Sequence, residues 1–177
     1  NKNLNKKFQE LKNLSFGKKE RFLHSDISWN YRFTNIQASL GLSQLKRLKK
    51  IVKRKREIGN FYYDKFKKNK NIIIQPKKLQ YAKNIYWVYG IIIKNKNKKF
   101  REKIQKKLLK YNIETRPFFY PMHKQKIFHK LGFFKKEKYP VSEFLSNNGF
   151  YIPSGLNLKK QTLSYIASTV NKLVGDK

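Results

Sequence analysis

Thr34 to Lys67 reads as one long helix, and a helix that long limits how the rest of the chain can be arranged. Thr34 stands at an N-cap position with Gln37 three residues on. At that spacing each side chain satisfies the other's orphan backbone donor. Ile36, Leu40, Leu45, Leu48, Val52, Ile58, Phe61 and Phe66 approximate a helical stripe, interrupted near Gly59. Ala38, Ser39, Gly41 and Ser43 are small, so another backbone can come close, as at a buried helix crossing. The opposite face, Lys46, Arg47, Lys49, Lys50, Lys53, Arg54 and Lys55, reads as a solvated charged surface.

Beyond a polar break at Lys67–Asn71, elements of both kinds alternate. Tyr86–Ile93 is rich in β-formers and predicts a strand. Asn95–Asn97 turns the chain. Lys99–Tyr111 is amphipathic through Phe100, Ile104, Leu108 and Tyr111, with Asn112 as its stop. Ile113–Phe119 predicts a short strand that Pro117 confines to an edge or end. Pro121–Gly132 reads as loop or irregular helix. Val141–Asn148 reads as a short helix stopped by Gly149, and Phe150–Ile152 as a strand. Leu158–Val174 closes as a helix capped by Asn157. Such an order places mixed α and β elements around a small sheet, with no internal repeat.

Composition bounds the function classes. The 177 residues suffice for one domain with a sizeable core. Zero Cys excludes disulfides and thiolate zinc sites and fits a reducing cytosol. The three His lack metal-ligand spacing, and His129 reads as an ordinary helix residue. Neither a Gly-x-Ser-x-Gly elbow nor a phosphate-cradling glycine loop occurs. Aliphatic runs stop at three residues, too short for a bilayer. The polar start, Asn1 to Lys12, reads as mid-stream, so a fragment or truncated reading frame is expected.

The formal charge of +33 has two readings. One is a basic nucleic-acid-binding domain, with Phe61-Tyr62-Tyr63 and Tyr86-Trp87 interleaved among cations. The other is codon bias plus solvated faces. Lys supplies 36 of the 43 basic residues, and Lys, Asn, Ile, Phe and Tyr, all with A/T-rich codons, fill 94 of 177 positions. Arg, whose planar fork suits base readout, is scarce.

Three segments carry a resemblance. Trp29-Asn30-Tyr31-Arg32-Phe33-Thr34-Asn35-Ile36-Gln37-Ala38 through Leu45 resembles the "N-Y-R-(M/F)-T-N-I-Q-A-A-L-G-L-A-Q-L" segment of the DegT/DnrJ/EryC1/StrS sugar-nucleotide aminotransferases. Glu114-Thr115-Arg116-Pro117-Phe118-Phe119-Tyr120-Pro121-Met122-His123-Lys124-Gln125 is similar to that family's "E-T-R-P-x-F-x-P-M-H-x-Q". Tyr139-Pro140-Val141-Ser142-Glu143 through Leu156 resembles its "P-x-(A/S)-E…G-x-x-L-P-S-(G/S)". The resemblance implies an α/β fold of the type I, aspartate-aminotransferase-like pyridoxal-phosphate (PLP) transferases. The part present would be a small C-terminal α+β domain plus a connecting long helix. Residues 1–32 would be the tail of the large PLP-binding domain, 33–67 the connecting helix and 68–177 the small domain.

The implied activity is transfer of an amino group from glutamate to a nucleotide-linked keto-sugar for glycan synthesis, in a cytoplasmic homodimer with shared active sites. The loop Arg21-Phe22-Leu23-His24-Ser25-Asp26 brings it close to perosamine-synthase-like members, with Ser28 in place of the usual glycine. By resemblance, Asn30 would cross the dimer interface to donate to the PLP phosphate, as an uncharged amide can. Its bland alternative is a turn cap before the helix. Arg32 would bind a phosphate or carboxylate, or else pair with Asp26. His24, Arg116, Tyr120 and His123 complete the expected substrate set. Pro117 and Pro121 stiffen their loop, Lys126 replaces a frequent proline, and aromatic packing by Phe118 and Phe119 is the competing account. No Gly-Glu-Gly-Gly follows a lysine, so neither Lys18 nor Lys19 is assigned as the Schiff-base residue. The chain alone is expected to be inactive, either as part of an enzyme or as a remnant keeping only the dimer surface.

Overall fold

The computed structural model describes residues 1–16, 22–94, 97–134 and 136–175. Lys18, Lys19, Arg21 and most of the Asn95–Asn97 turn lie outside them. The chain divides into two units, Asn1–Leu48 and Lys49–Lys177.

The first unit begins with α1, Lys2–Leu11, which the sequence reading did not anticipate; the Asn1 carboxamide caps it, accepting from Asn3 N at 3.0 Å. Then comes the first part of α2, Asn35–Phe66. The capping box forms as expected: Gln37 Oε1 accepts from Thr34 N at 2.9 Å, and Thr34 Oγ1 accepts from Gln37 N at 3.2 Å. The anticipated crossing over Ala38, Ser39, Gly41 and Ser43 is not made by the described residues. Nothing lies within 4 Å of where a Gly41 Cβ would sit, and Ile36, Leu40, Leu45 and Leu48 are exposed.

The second unit carries the core. Its sheet has the order β1-β4-β6-β5, all antiparallel, with β1 Ile72–Ile74, β4 Tyr89–Ile93, β5 Arg116–Pro117 and β6 Gly149–Ile152. A hairpin of β2, Lys78–Leu79, and β3, Ala82–Lys83, stands apart from that sheet. Central β4 is apolar along its whole length, the pattern of a strand covered on both faces. The predicted strand start at Tyr86 fails, because Tyr86 takes φ 52° and leaves the extended region. Proline places β5 at the edge, where a missing N–H breaks no ladder. Tyr89, Ile91 and Ile93 meet Ile104 and Leu108 of α3 (Lys98–Lys110), and Leu163, Ile166, Val170 and Leu173 of α6 (Lys160–Gly175), in one core. Ile58, Tyr62 and Phe66 of α2 join it, and Tyr62 Oη donates to Pro153 O at 2.7 Å. Asn157 is not the cap of α6: the first turn closes by Leu163 N donating to Lys159 O, so the helix starts later. Asn112 does end α3, in the left-handed region at φ 56°, and the expected irregular helix in Pro121–Gly132 forms as a 3₁₀ turn followed by the short α4, Lys126–Lys130.

Glycines matter at two close approaches. A Cβ on Gly59 would stand 2.3 Å from the Tyr86 ring, so the break in the α2 stripe is a seat for that ring and leaves the helix continuous. Gly90 and Gly149 sit beneath Phe118, which stacks on Tyr151 at 4.6 Å. Phe118 thereby holds the edge strand and its following loop against the sheet.

Candidate functional site

In the first unit, Leu11–Phe16 is a rail to which two candidate segments are fastened. Trp29 N donates to Leu11 O, Tyr31 N to Lys12 O at 2.8 Å, and Leu14 N to Trp29 O, so Asn30 lies opposite Asn13 with its backbone held on both sides. The Asn30 carboxamide is exposed and makes no hydrogen bond with the described residues. The turn-cap alternative is therefore not what the structure contains, and the helix start belongs to Thr34. Arg32 is exposed too. Its alternative partner, Asp26, is occupied by Lys7 Nζ at 2.7 Å. The His24 ring lies 4.9 Å from Phe16, and its Nδ1 is 2.6 Å from Leu14 O, so Nδ1 carries the proton and donates. Around this rail Asn13 Oδ1, Ser15 Oγ and Ser28 Oγ are buried without partners among the described residues.

The second unit holds the other candidates on β5 and the loop after it. Arg116 pairs with Tyr151 through the backbone and leaves its side chain exposed. Tyr120 is exposed. His123 differs: it lies in the 3₁₀ turn Met122–Lys124, is 5% exposed, and packs on the Tyr139 ring at 4.8 Å. Its Nε2 faces Glu143 Oε1 at 3.0 Å, while Lys124 Nζ reaches Glu143 Oε2 at 3.3 Å. The hydrogen bond from His123, then that from Lys124, holds the Glu143 carboxyl below the usual carboxylate range. Glu143 lies in the first turn of α5, Pro140–Asn148, a position that favours its negative charge. The second and third sequence motifs thus meet at one carboxylate. The structure joins His24 with Asn30 on one rail, and His123 with Glu143.

Among the described residues, no cluster of His, Asp or Glu is arranged to hold a metal ion. No helix among them is long and apolar enough to cross a membrane.

The model of the DegT/DnrJ/EryC1/StrS aminotransferase family matches residues 1–171. The chain belongs to that family. The GDP-perosamine synthase of Escherichia coli O157:H7 is 34% identical over 158 residues, which is 89% of this chain and 41% of that protein. The Vibrio cholerae GDP-perosamine synthase is 32% identical over 148 residues, 81% of this chain and 38% of that protein. The chain therefore spans about two-fifths of the length of these curated relatives. Among solved structures, Helicobacter pylori PseC, an aminotransferase of pseudoaminic acid biosynthesis, superposes with TM-score 0.85 at 23% identity, over 99% of this chain and 47% of that chain. Spr1654 of Streptococcus pneumoniae, solved in PLP and pyridoxamine-phosphate forms, gives 0.86 and 0.87 at 22% identity, covering 98% of this chain. At these identities the structures establish the fold, that of the type I PLP-dependent sugar aminotransferases.

Some residues escaped sequence reasoning. Glu143 lay inside a quoted motif, but its partner is 20 residues away. Lys55 and Arg54 were assigned to a wet face. Instead Lys55 Nζ donates to Trp87 O and Ser154 O, each at 2.8 Å, and Arg54 donates to Leu156 O and Leu158 O. Partial burial pushes the Lys55 ammonium pKa down. Arg101 had a legible signal: with Ile104 and Leu108 it falls on one helical face, and that face is the buried one.

Proposed function

We propose that this chain is the C-terminal portion of a PLP-dependent aminotransferase that moves an amino group from glutamate to a nucleotide-linked keto-sugar, a 4-keto sugar of perosamine type, for polysaccharide or glycan synthesis. The observation that carries the proposal is Asn30: an uncommitted carboxamide on a backbone fixed at both neighbours, two residues from an uncommitted guanidinium. That donor set fits the phosphate end of PLP, since an amide NH2 and a guanidinium are both donors to phosphate oxygens. When bound, the cofactor supplies an electron sink for the substrate's amine carbon.

The chain's own residues then have separate tasks. Asn30 reaches across a homodimer interface and donates N–H to the phosphate of the partner's cofactor. Arg32 offers its fork to a phosphate or carboxylate of the bound molecules. His24, oriented by Leu14 O, presents Nε2 to substrate. Arg116 and Tyr120 project from a loop held down by Phe118 and contact the sugar nucleotide. His123 is fixed by Glu143 and sets the shape of that loop. In domain terms, residues 1–32 belong to the large domain, 33–67 to the connecting helix and 68–177 to the small domain, in a cytoplasmic enzyme. The 177 residues alone are expected to show no transamination, which an assay with glutamate and PLP checks.

The decisive test is Asn30→Ala in the full-length enzyme. Losing a hydrogen bond to a charged group, of order 1.5–3 kcal/mol, predicts PLP retention weakened roughly ten- to a hundredfold, with folding intact. Unchanged cofactor affinity would remove Asn30 from the site.

A further inference from the structure

Residues 115–123 carry Arg116, Tyr120 and His123, and hydrogen bonds tie both ends of that segment to one helix, α5. The His123 end is tied at the first turn of α5, through Glu143. The Thr115 end is tied at the last turn, through Arg101 and Gln105 of α3, which lie outside all three motifs.

The second tie can be followed atom by atom. Asn147 O belongs to the last turn of α5, where carbonyls have no partner within the helix. Arg101 Nε donates to it at 3.0 Å, and Arg101 Nη1 donates to Gln105 Oε1 at 2.9 Å. Arg101 is 5% exposed, and hydrogen bonds shielded from water are the stronger for it. Glu102, 3.5 Å from Nη2 and half exposed, is its weaker partner. Gln105 stands four positions along α3, the spacing that brings two side chains together on one helix face. Arginine only donates, so the amide oxygen of Gln105 must face Arg101. That choice fixes the amide, whose Nε2 then donates to Thr115 Oγ1 at 3.1 Å.

Thr115 immediately precedes β5, a strand of two residues with few ladder bonds of its own. Downstream the chain is held by Phe118, whose N donates to Gly149 O at 3.1 Å and whose ring stacks on Tyr151. Upstream, the side-chain link from α5 through α3 supplies the matching hold. We infer that Arg101 and Gln105 are positioning residues: they fix where β5 begins, and with it the place from which Arg116 is presented. The contact of Arg116 with substrate rests on the function proposed above; the link itself rests on the bonds just given.

Gln105→Met and Thr115→Val test the link in the 177-residue chain without cofactor or turnover. Met keeps an unbranched side chain and removes both bonds. Val keeps the shape of threonine and removes the acceptor alone, leaving Arg101 paired. Backbone order parameters of residues 114–116 are expected to fall from the rigid range, about 0.85, to below about 0.6, while those of Tyr89–Ile93 stay rigid. Gln105→Glu is expected to restore the parent values, because a carboxylate accepts from Arg101 and the Thr115 hydroxyl can turn to donate to it. In the full-length enzyme, Thr115→Val should raise KM for a GDP-linked 4-keto sugar about three- to tenfold, with kcat and the glutamate half-reaction unchanged. Residues 114–116 as rigid in both breaking variants as in the parent would overturn the inference. So would a Gln105→Glu variant as mobile as Gln105→Met, or a sugar KM unmoved by Thr115→Val where Arg116→Ala raises it. If Arg116→Ala itself leaves that KM unmoved, the substrate reading of Arg116 fails, and the order parameters still decide the link.

Discussion

One helix, α2, treats its two halves differently. In Lys49–Lys177 its residues Ile58, Tyr62 and Phe66 are closed off with the sheet and α6 in a single core. In Asn1–Leu48 the same apolar stripe leaves Ile36, Leu40 and Leu45 at 75%, 66% and 62% exposure. The stripe has the same period in both halves, so periodicity records a face meant to be covered and does not say by what. In the second unit long-range contacts hold the helix. In the first, its hold is local: the Thr34–Gln37 box and the i to i−4 ladder, which are marginal without packing.

The largest expected effect that would test this contrast is Phe150→Ala. Phe150 is fully buried on β6, and its loss should cost about 3–5 kcal/mol of second-unit stability in chemical denaturation. If a core is absent there, the loss will be under about 1 kcal/mol, as for a surface site. Gly59→Val comes next. Its side chain would enter the Tyr86 ring, costing about 1–3 kcal/mol by overpacking. A Gly59→Val variant as stable as the parent would show that Tyr86 is not seated there.

Glu143→Gln should produce a smaller loss with a diagnostic pH dependence. The Glu143 carboxyl is held below its ordinary range, so its contribution is present above that range and disappears as pH falls through the lowered value. The melting temperature of the variant should therefore lie below the parent's at neutral pH and converge with it in acid. A gap that widens in acid would contradict the pairing with His123 and Lys124. Least of all should Leu45→Gln matter, at about 0.5 kcal/mol or less, because nothing covers that side chain among the described residues. A loss above about 2 kcal/mol would mean that the face is buried in solution.

Much of the fold was legible because it is local. The capping box, the stop at Asn112, proline's confinement of β5 to an edge and the short helix before Gly149 all depend on neighbours a few residues apart. Misreadings arose where a distant partner overrode a local signal. Tyr86 reads as a β-former but turns its backbone to bring its ring over Gly59, 27 positions earlier in the chain. Lys55 reads as solvated but reaches carbonyl groups at Trp87 and Ser154. The candidate site divides the same way. Asn30, Arg32, Arg116 and Tyr120 are expected from motifs, and the structure leaves their side chains exposed. His123 could be named too, but its attachment to Glu143 could not.

The start of α2, the stop of α3, the mixed class of elements and membership of an aminotransferase family were determined by residue order alone, since capping, periodicity and motif spacing operate within a dozen positions. Strand order, the seating of rings on Gly59, Gly90 and Gly149, and the burial of Arg101 and His123 were decided only in three dimensions. Those outcomes depend on which surfaces exclude water together, and that follows from contacts between residues far apart in the chain.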